Sequence, residues 1–86
     1  MTLERRDQII EAILGVLDKM DGEPCREPIL SASLAKLVPP PLLVSEFNAA
    51  LRHAEARRWI LGQRPNLGSV LWTLTAKGKA VYLENQ

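Results

Sequence analysis

Two adjacent segments carry the clearest structural pattern in the sequence: residues 43–59, LVSEFNAALRHAEARRW, and residues 60–85, ILGQRPNLGSVLWTLTAKGKAVYLEN. On a helical wheel of 100° per residue, the apolar side chains of the first segment fall within an arc of about 120°. One face is therefore expected to enter a core, and the opposite face is small and basic. The apolar arc comprises Leu43, Val44, Phe47, Ala50, Leu51 and Ala54, and the opposite side comprises Ser45, Ala49, Arg52, His53 and Ala56.

The second segment alternates rather than following a helical period. Residues 59–61 and 70–74 are β-branched and aromatic runs, and they flank a tip that contains proline and glycine at residues 62–68. This arrangement predicts a β-hairpin with a long tip. Thr75 is placed to cap a short final helix over residues 76–83.

Two helices joined by a proline corner are predicted before the hairpin. Ser31 predicts the N-cap of a short second helix over residues 32–38. Three consecutive prolines at residues 39–41 end this helix, because proline lacks the N–H that a continuing helix needs. The third helix is expected to begin between residues 41 and 45 and to end near Arg58.

The N-terminal part is predicted to be a helix over residues 3–20 that Asp21 and Gly22 bring to an end. Its apolar side chains fill an arc of about 160°, which is wider than a surface helix needs. Two interpretations fit this arc: a helix across the back of a small core, or a helix that also forms a homodimer interface. Residues 28–30 fit a short extended segment. The predicted order is therefore helix, short strand, helix, helix, two hairpin strands and helix, a mainly α fold with a small β-hairpin (α+β).

The composition is that of one globular domain. The 86 residues are expected to form a single domain, 1–86, and 47% of them are apolar and 24% charged. No apolar run approaches the roughly 20 residues that span a bilayer, and the N-terminus has no apolar signal-peptide region, so we expect a cytoplasmic protein without a membrane partner. One cysteine and one histidine exclude an internal disulfide and argue against a metal site. We expect no cofactor and no enzyme activity, since neither a Ser/His/Asp set nor a phosphate-binding glycine loop is present.

The overall net charge of +1 hides an asymmetry along the chain. Residues 1–27 contain four basic and seven acidic side chains, a net charge of −3. Residues 28–86 contain seven basic and three acidic side chains, a net charge of +4. A basic part of this kind favours contact with a polyanion.

The outward face of the third helix has the size and chemistry that the major groove of DNA admits. The groove is about 12 Å wide and takes one helix whose leading side chains are short or donate hydrogen bonds. Arg52 has the shape to fork to guanine or to grip a phosphate, and Asn48 the shape to pair with adenine. Glu46 would repel phosphate, although a carboxylate can accept a hydrogen bond from cytosine. The residues that suit the groove are Ser45, Asn48, Ala49, Arg52, His53 and Ala56.

Basic residues outside this face offer further contacts. Arg64, at the hairpin tip, is placed to enter a minor groove or to lie along a phosphate. Arg57, Arg58, Lys77 and Lys79 can bind backbone phosphates. Each has a structural alternative, because cations stabilise the last turn of a helix and lysines are ordinary surface residues. Two tryptophans, Trp59 and Trp72, border the hairpin. We expect both to pack in the core or against the neighbouring strand.

Four short motifs resemble the winged helix-turn-helix family, in the broad sense of small MarR/PadR-like prokaryotic regulators. Residues 31–35, SASLA, open the second helix, and residues 50–55, ALRHAE, lie in the third. Residues 59–60, WI, open the hairpin, and residues 74–78, LTAKG, close it. Such domains often leave the hairpin, called the wing, with Leu-Thr-x-x-Gly and commonly carry a glycine before its first strand, where this chain has Arg58.

The resemblance implies binding to double-stranded DNA, with the third helix in the major groove and the wing along the backbone or in the minor groove. By position in the family, the expected DNA contacts fall on Ser45, Asn48, Ala49, Arg52, His53 and Arg64. Phosphate contacts by Arg57 and Lys77 would complete the site. The first hypothesis is therefore a small transcriptional regulator. The second is a winged helix that binds a protein partner instead of DNA.

Overall fold

The computed structural model describes residues 3–84, and this part of the chain contains four helices and one three-stranded antiparallel sheet. The α+β class and the predicted order of elements are confirmed. Residues 1, 2, 85 and 86, which the single-domain prediction also covers, lie outside the described residues. The elements are α1 (Leu3–Lys19), β1 (Cys25–Arg26), α2 (Glu27–Leu37), α3 (Val44–Ala56), β2 (Ile60–Gln63), β3 (Leu71–Leu74) and α4 (Ala76–Glu84).

Helix α1 lies at the centre of the domain and contacts α2, α3, α4 and β3. Its wide apolar arc is used inside this core, where each buried Leu or Ile contributes about 1.5–3 kcal/mol. The arc therefore offers little apolar surface to a second copy, and the homodimer stays a prediction. The fully buried α1 residues are Ile9, Ile13, Leu14 and Leu17. Within residues 3–84, no helix combines the length and the apolar character that crossing a membrane requires.

The start of α2 differs from the prediction. Residues 28–30 are helical rather than extended, and Ser31 lies inside α2 rather than at its N-cap. Pro28 fits the first turn because the N–H that it lacks has no helical partner there. The short strand is β1, just before the helix, and the backbone N–H of Glu27 donates to Val70 O at 3.0 Å.

The proline corner between α2 and α3 is held by Arg5 of α1. Its Nη1 donates to Pro39 O at 2.8 Å and its Nη2 to Pro41 O at 2.7 Å, while its Nε contacts Glu46 at 3.1 Å. The Pro40–Pro41 peptide bond is cis. This arginine therefore joins α1 to the segment that sets the direction of α3.

Helix α3 begins at Val44, within the predicted window, and ends at Ala56. Phe47, Ala50, Leu51 and Ala54 are buried as predicted, but Leu43 and Val44 are 52% and 75% exposed. Their assignment to the core was wrong. Both residues lie on the apolar side of the helical wheel, but the first turn of α3 extends beyond the core, so they stay exposed. The Oε1 of Glu46 accepts a hydrogen bond from Leu43 N at 3.2 Å, so this acid caps the helix rather than facing outward.

The predicted hairpin is confirmed, but Gly62 and Gln63, which were expected in its tip, belong to β2. Strands β2 and β3 pair antiparallel with Gly62 opposite Trp72, and β1 pairs with the other edge of β3. Before β2, Arg58 has a φ of 62°, the left-handed conformation for which glycine is the favoured residue. Arg58 N and Trp59 N donate to the last carbonyls of α3, Glu55 O at 2.9 Å and Ala54 O at 3.0 Å. This closes the helix and starts the strand.

The Leu-Thr-x-x-Gly motif joins the hairpin to α4. The predicted cap is confirmed, since Thr75 Oγ1 accepts a hydrogen bond from Gly78 N at 3.0 Å. The same hydroxyl donates to Arg58 O at 2.6 Å, and Thr75 N donates to Trp59 O at 3.1 Å. A Cβ at Gly78 would collide with Trp59 O, so only glycine permits this contact. The motif therefore ties the end of α3 to the start of α4.

Candidate nucleic-acid interface

The outward face of α3 is exposed to solvent. Asn48 and Arg52 point away from the core, and within residues 3–84 neither side chain makes a hydrogen bond or an ion pair. The donors of both side chains are therefore available to an external ligand. Between them the face carries only short side chains, which allow close approach of a flat or grooved surface. The other exposed residues of this face are Ser45, Ala49 and Ala56.

His53 lies at the flank of α3 and is half-buried. Its ring meets the Trp59 ring edge-on at a centroid distance of 5.9 Å, and the guanidinium of Arg57 lies 6.0 Å from the same tryptophan ring. Burial, followed by the nearby charges of Arg6 and Arg57, lowers the pKa of His53 below its usual 6.5. The lowered pKa favours the uncharged form of this histidine, which can still form a hydrogen bond with a ligand.

The hairpin arginine, Arg64, is paired with α3. Its Nη2 and Nη1 donate to the two carboxylate oxygens of Glu55 at 2.9 and 3.0 Å, a bidentate ion pair. The guanidinium also lies over the Trp72 ring, 5.7 Å from its centroid. The hydrogen bond from Arg64 holds the pKa of Glu55 below its usual value and, reciprocally, raises the pKa of Arg64.

The tryptophan beneath Arg64 is itself fixed. Trp72 is buried, and its Nε1 donates to Glu27 Oε1 at 3.1 Å. A Cβ at Gly62 would lie 2.7 Å from the Trp72 ring and 3.1 Å from Glu55 Oε2, so glycine makes room for both. Core packing is confirmed for Trp72, and Trp59 lies partly buried against the same core.

The structure brings some of the predicted site residues together and separates others. Asn48, Arg52 and Arg64 line one cleft of about 200 Å³ between α3 and the hairpin. His53 and Arg57 meet at Trp59 instead, near the end of α3. Lys77 is exposed on α4, a helix that packs against α1. The remaining residues that line the cleft are Glu27, Leu51, Glu55, Val70 and Trp72.

Two acidic residues that line this cleft were not identified from the sequence. Glu27 holds Trp72, and Glu55 holds Arg64, so much of the positive charge of the cleft is balanced from within. Arg64 follows Glu55 by nine positions, across the end of α3 and the whole of β2. No helical or strand spacing connects residues on either side of such a turn. Opposite charges on the flank of the helix and at the end of the first hairpin strand were the available signal.

Comparison of the chain with models of known protein families, with curated proteins and with solved structures finds no match. The function is therefore inferred from the geometry of the chain itself.

Proposed function

We propose that this chain is a winged-helix protein that binds double-stranded DNA and acts as a small transcriptional regulator. Helix α3 enters the major groove, and the hairpin tip between β2 and β3, residues 64–70, serves as the wing at the backbone or minor groove. The observation that carries the proposal is the outward face of α3, on which Arg52 and Asn48 are exposed and unpaired within residues 3–84. These are the side-chain types that read guanine and adenine by paired hydrogen bonds.

The dimensions of α3 support this proposal. Its 13 residues span about 20 Å at 1.5 Å per residue, enough to present several side chains to base edges. Ser45 and Ala49 are short, so the backbone of the helix can approach the bases closely. Glu46, one of the two acids on this helix, is paired with Arg5 at the corner and does not face outward.

Basic residues around the helix supply contacts that do not depend on sequence. Arg57, the residue after α3, and Lys77, in the first turn of α4, are both exposed. Contacts of this kind position a protein on the duplex and supply most of its non-specific affinity. We assign these two residues to phosphates rather than to bases.

A protein partner is the second candidate function, and one observation favours it. Leu43 and Val44 are exposed at the start of α3, beside the proline corner, and Leu37 at the end of α2 is 58% exposed. Exposed apolar side chains next to a stiff corner suit a partner with an apolar surface. In the DNA proposal, Val44 instead contacts a thymine methyl group.

Binding to random duplex DNA, measured by fluorescence anisotropy at about 50 and about 200 mM salt, separates these functions. Several phosphate contacts predict a fall in affinity of two or more orders of magnitude across this range. Arg52 can also bind a phosphate where its base is absent, so Arg52→Ala should weaken binding to random duplex DNA about tenfold. Lys19→Ala, which removes the same charge from the end of α1, is the matched control and should change affinity much less.

Absence of binding by the unmodified protein at about 50 mM salt would overturn the DNA proposal and favour the protein partner. Equal losses in Arg52→Ala and Lys19→Ala would mean that net charge, rather than the face of α3, carries the binding.

A further inference from the structure

We propose that Glu55 is a positioning residue for Arg64: it fixes one edge of the guanidinium on α3 so that the other edge is presented to DNA. The inference rests on the proposed function and assigns to the wing a pre-oriented arginine fork. Arg64 would then contact two acceptors of the duplex at once, on a phosphate or on a base edge.

The donors of Arg64 divide into two sets. A guanidinium has five N–H donors in one plane. The end of the group is engaged, since Nη1 donates to Glu55 Oε2 and, at 3.4 Å, to Gly62 O, while Nη2 donates to Glu55 Oε1. Within residues 3–84, Nε–H and the second Nη2–H have no acceptor. These two donors lie side by side on one edge of the plane and form the fork that matches two phosphate oxygens or the acceptors of a base.

Two direct contacts set the orientation of this edge, and a third residue supports one of them. Glu55 holds the end of the guanidinium, the Trp72 ring supports its face at 5.7 Å, and Glu27 holds that ring in place. The Arg64 side chain is nevertheless 59% exposed, so the free edge reaches solvent. An arginine that is held firmly and still exposed is suited to binding an external ligand rather than to stabilising the fold alone.

Two effects of Glu55 on DNA affinity oppose each other. Its carboxylate repels the duplex, but this repulsion acts through solvent and weakens as salt rises. Holding Arg64 in its bound orientation removes the entropic cost of immobilising a long side chain on binding. That gain does not depend on salt. We therefore expect positioning to dominate, so that loss of the ion pair weakens DNA binding about three- to tenfold near physiological salt.

The test compares Glu55→Gln with Glu23→Gln, a variant that makes the same charge change in the exposed loop after α1. Glu23→Gln should bind duplex DNA as tightly as the unmodified protein or slightly more tightly, and Glu55→Gln more weakly by the factor above. The salt dependence distinguishes positioning from contact. Glu55→Gln should keep the slope of log affinity against log salt, whereas Arg64→Ala should reduce it by about one. In the Arg64→Ala background, Glu55→Gln should no longer weaken binding and should behave like Glu23→Gln.

Three outcomes overturn the inference. If Glu55→Gln binds as tightly as Glu23→Gln or more tightly, Glu55 competes with DNA for Arg64 instead of presenting it. If Arg64→Ala keeps full affinity and slope, Arg64 does not contact DNA; an intact effect of Arg52→Ala would then leave the proposed function standing. If the unmodified protein does not bind DNA at all, both proposals fail. Melting temperatures of all variants show whether a loss of affinity comes from unfolding.

Discussion

Helix α3 carries two glutamates, and each pairs with an arginine from another element, but the two pairs are built differently. At the start of the helix, Glu46 meets Arg5 of α1, and their side chains are 15% and 20% exposed. At the end of the helix, Glu55 meets Arg64 of the hairpin, and their side chains are 31% and 59% exposed. The first pair is shielded from solvent, whereas the second lies at the edge of a cleft.

The remaining donors of each arginine explain what each pair does. The terminal nitrogens of Arg5 donate hydrogen bonds to Pro39 O and Pro41 O, so these donors act within the fold. Arg64 keeps one edge of its guanidinium open. The same residue types at the two ends of one helix therefore serve structure in one case and, in our proposal, recognition in the other.

Replacing each arginine by methionine, in two separate variants, should distinguish the structural role of the first pair from the recognition role of the second most clearly. Arg5→Met keeps the aliphatic stem but leaves two corner carbonyls without a protein donor and Glu46 without its cation. We expect a loss of about 2 kcal/mol in the free energy of unfolding, or a fall of roughly 10 °C in melting temperature for a domain of this size. Arg64→Met should change the melting temperature much less and reduce DNA affinity more. Calorimetry and anisotropy on both variants check this; similar melting temperatures would show that the two pairs have the same role.

The packing beneath the second pair offers a smaller and more local change. In Gly62→Ala the new methyl group meets the Trp72 ring, which must shift and take Arg64 with it. Overpacking of this kind costs about 1–3 kcal/mol, and replacing a strand glycine recovers about 0.5–1, so we expect a net loss of about 1 kcal/mol in stability. Tryptophan fluorescence should report the displaced ring.

Gly62→Ala should leave the first pair intact, so its effect on stability should add to that of Arg5→Met in the double variant. Strong non-additivity would show that the two ends of α3 are coupled. An unchanged melting temperature and fluorescence spectrum would mean that the ring moves aside without cost.

The parts of the fold that local signals determine could be predicted from the sequence. The change from helical to alternating periodicity located the hairpin, and the hydroxyl of Thr75 located the start of α4. The start of α2 could not be predicted in this way, because Ser31 and Pro28 give conflicting local signals. The long-range hydrogen bond from Glu27 N to Val70 O accompanies the observed boundary.

The exposure of individual residues of the candidate site could be predicted from the sequence, but their arrangement could not. Arg52 follows from its angle on the helical wheel, and Arg64 from its place at the tip. Neither the partner of Arg64 nor the role of Arg5 follows from spacing, since Arg5 contacts residues 34 to 41 positions away. Contacts of that range depend on how the elements pack, and a wheel or a strand pattern carries no such information.

Acid should affect both pairs, and the first more than the second. Hydrogen bonds from Arg5 and Arg64 hold the pKa values of Glu46 and Glu55 below the usual 4.5. A lowered pKa in the folded state means that the stabilisation is present above pH 4.5 and is lost as the pH falls through the folded-state value. The pKa of His53 is lowered from 6.5, so the unfolded chain binds a proton at this residue before the folded protein does. As the pH falls below 6.5, this difference lowers the stability of the fold in a pH range above that of the two glutamates.

Melting temperatures measured between pH 5 and pH 3 should therefore fall less steeply in Arg5→Met than in the unmodified protein, since Glu46 then titrates closer to its usual value. Arg64→Met should reduce the steepness by a smaller amount, because its pair is more exposed and solvent screens it more strongly. The reverse order would mean that the exposed pair contributes more to folding than the shielded one, and the division of structure and recognition between the two ends of α3 would have to be exchanged.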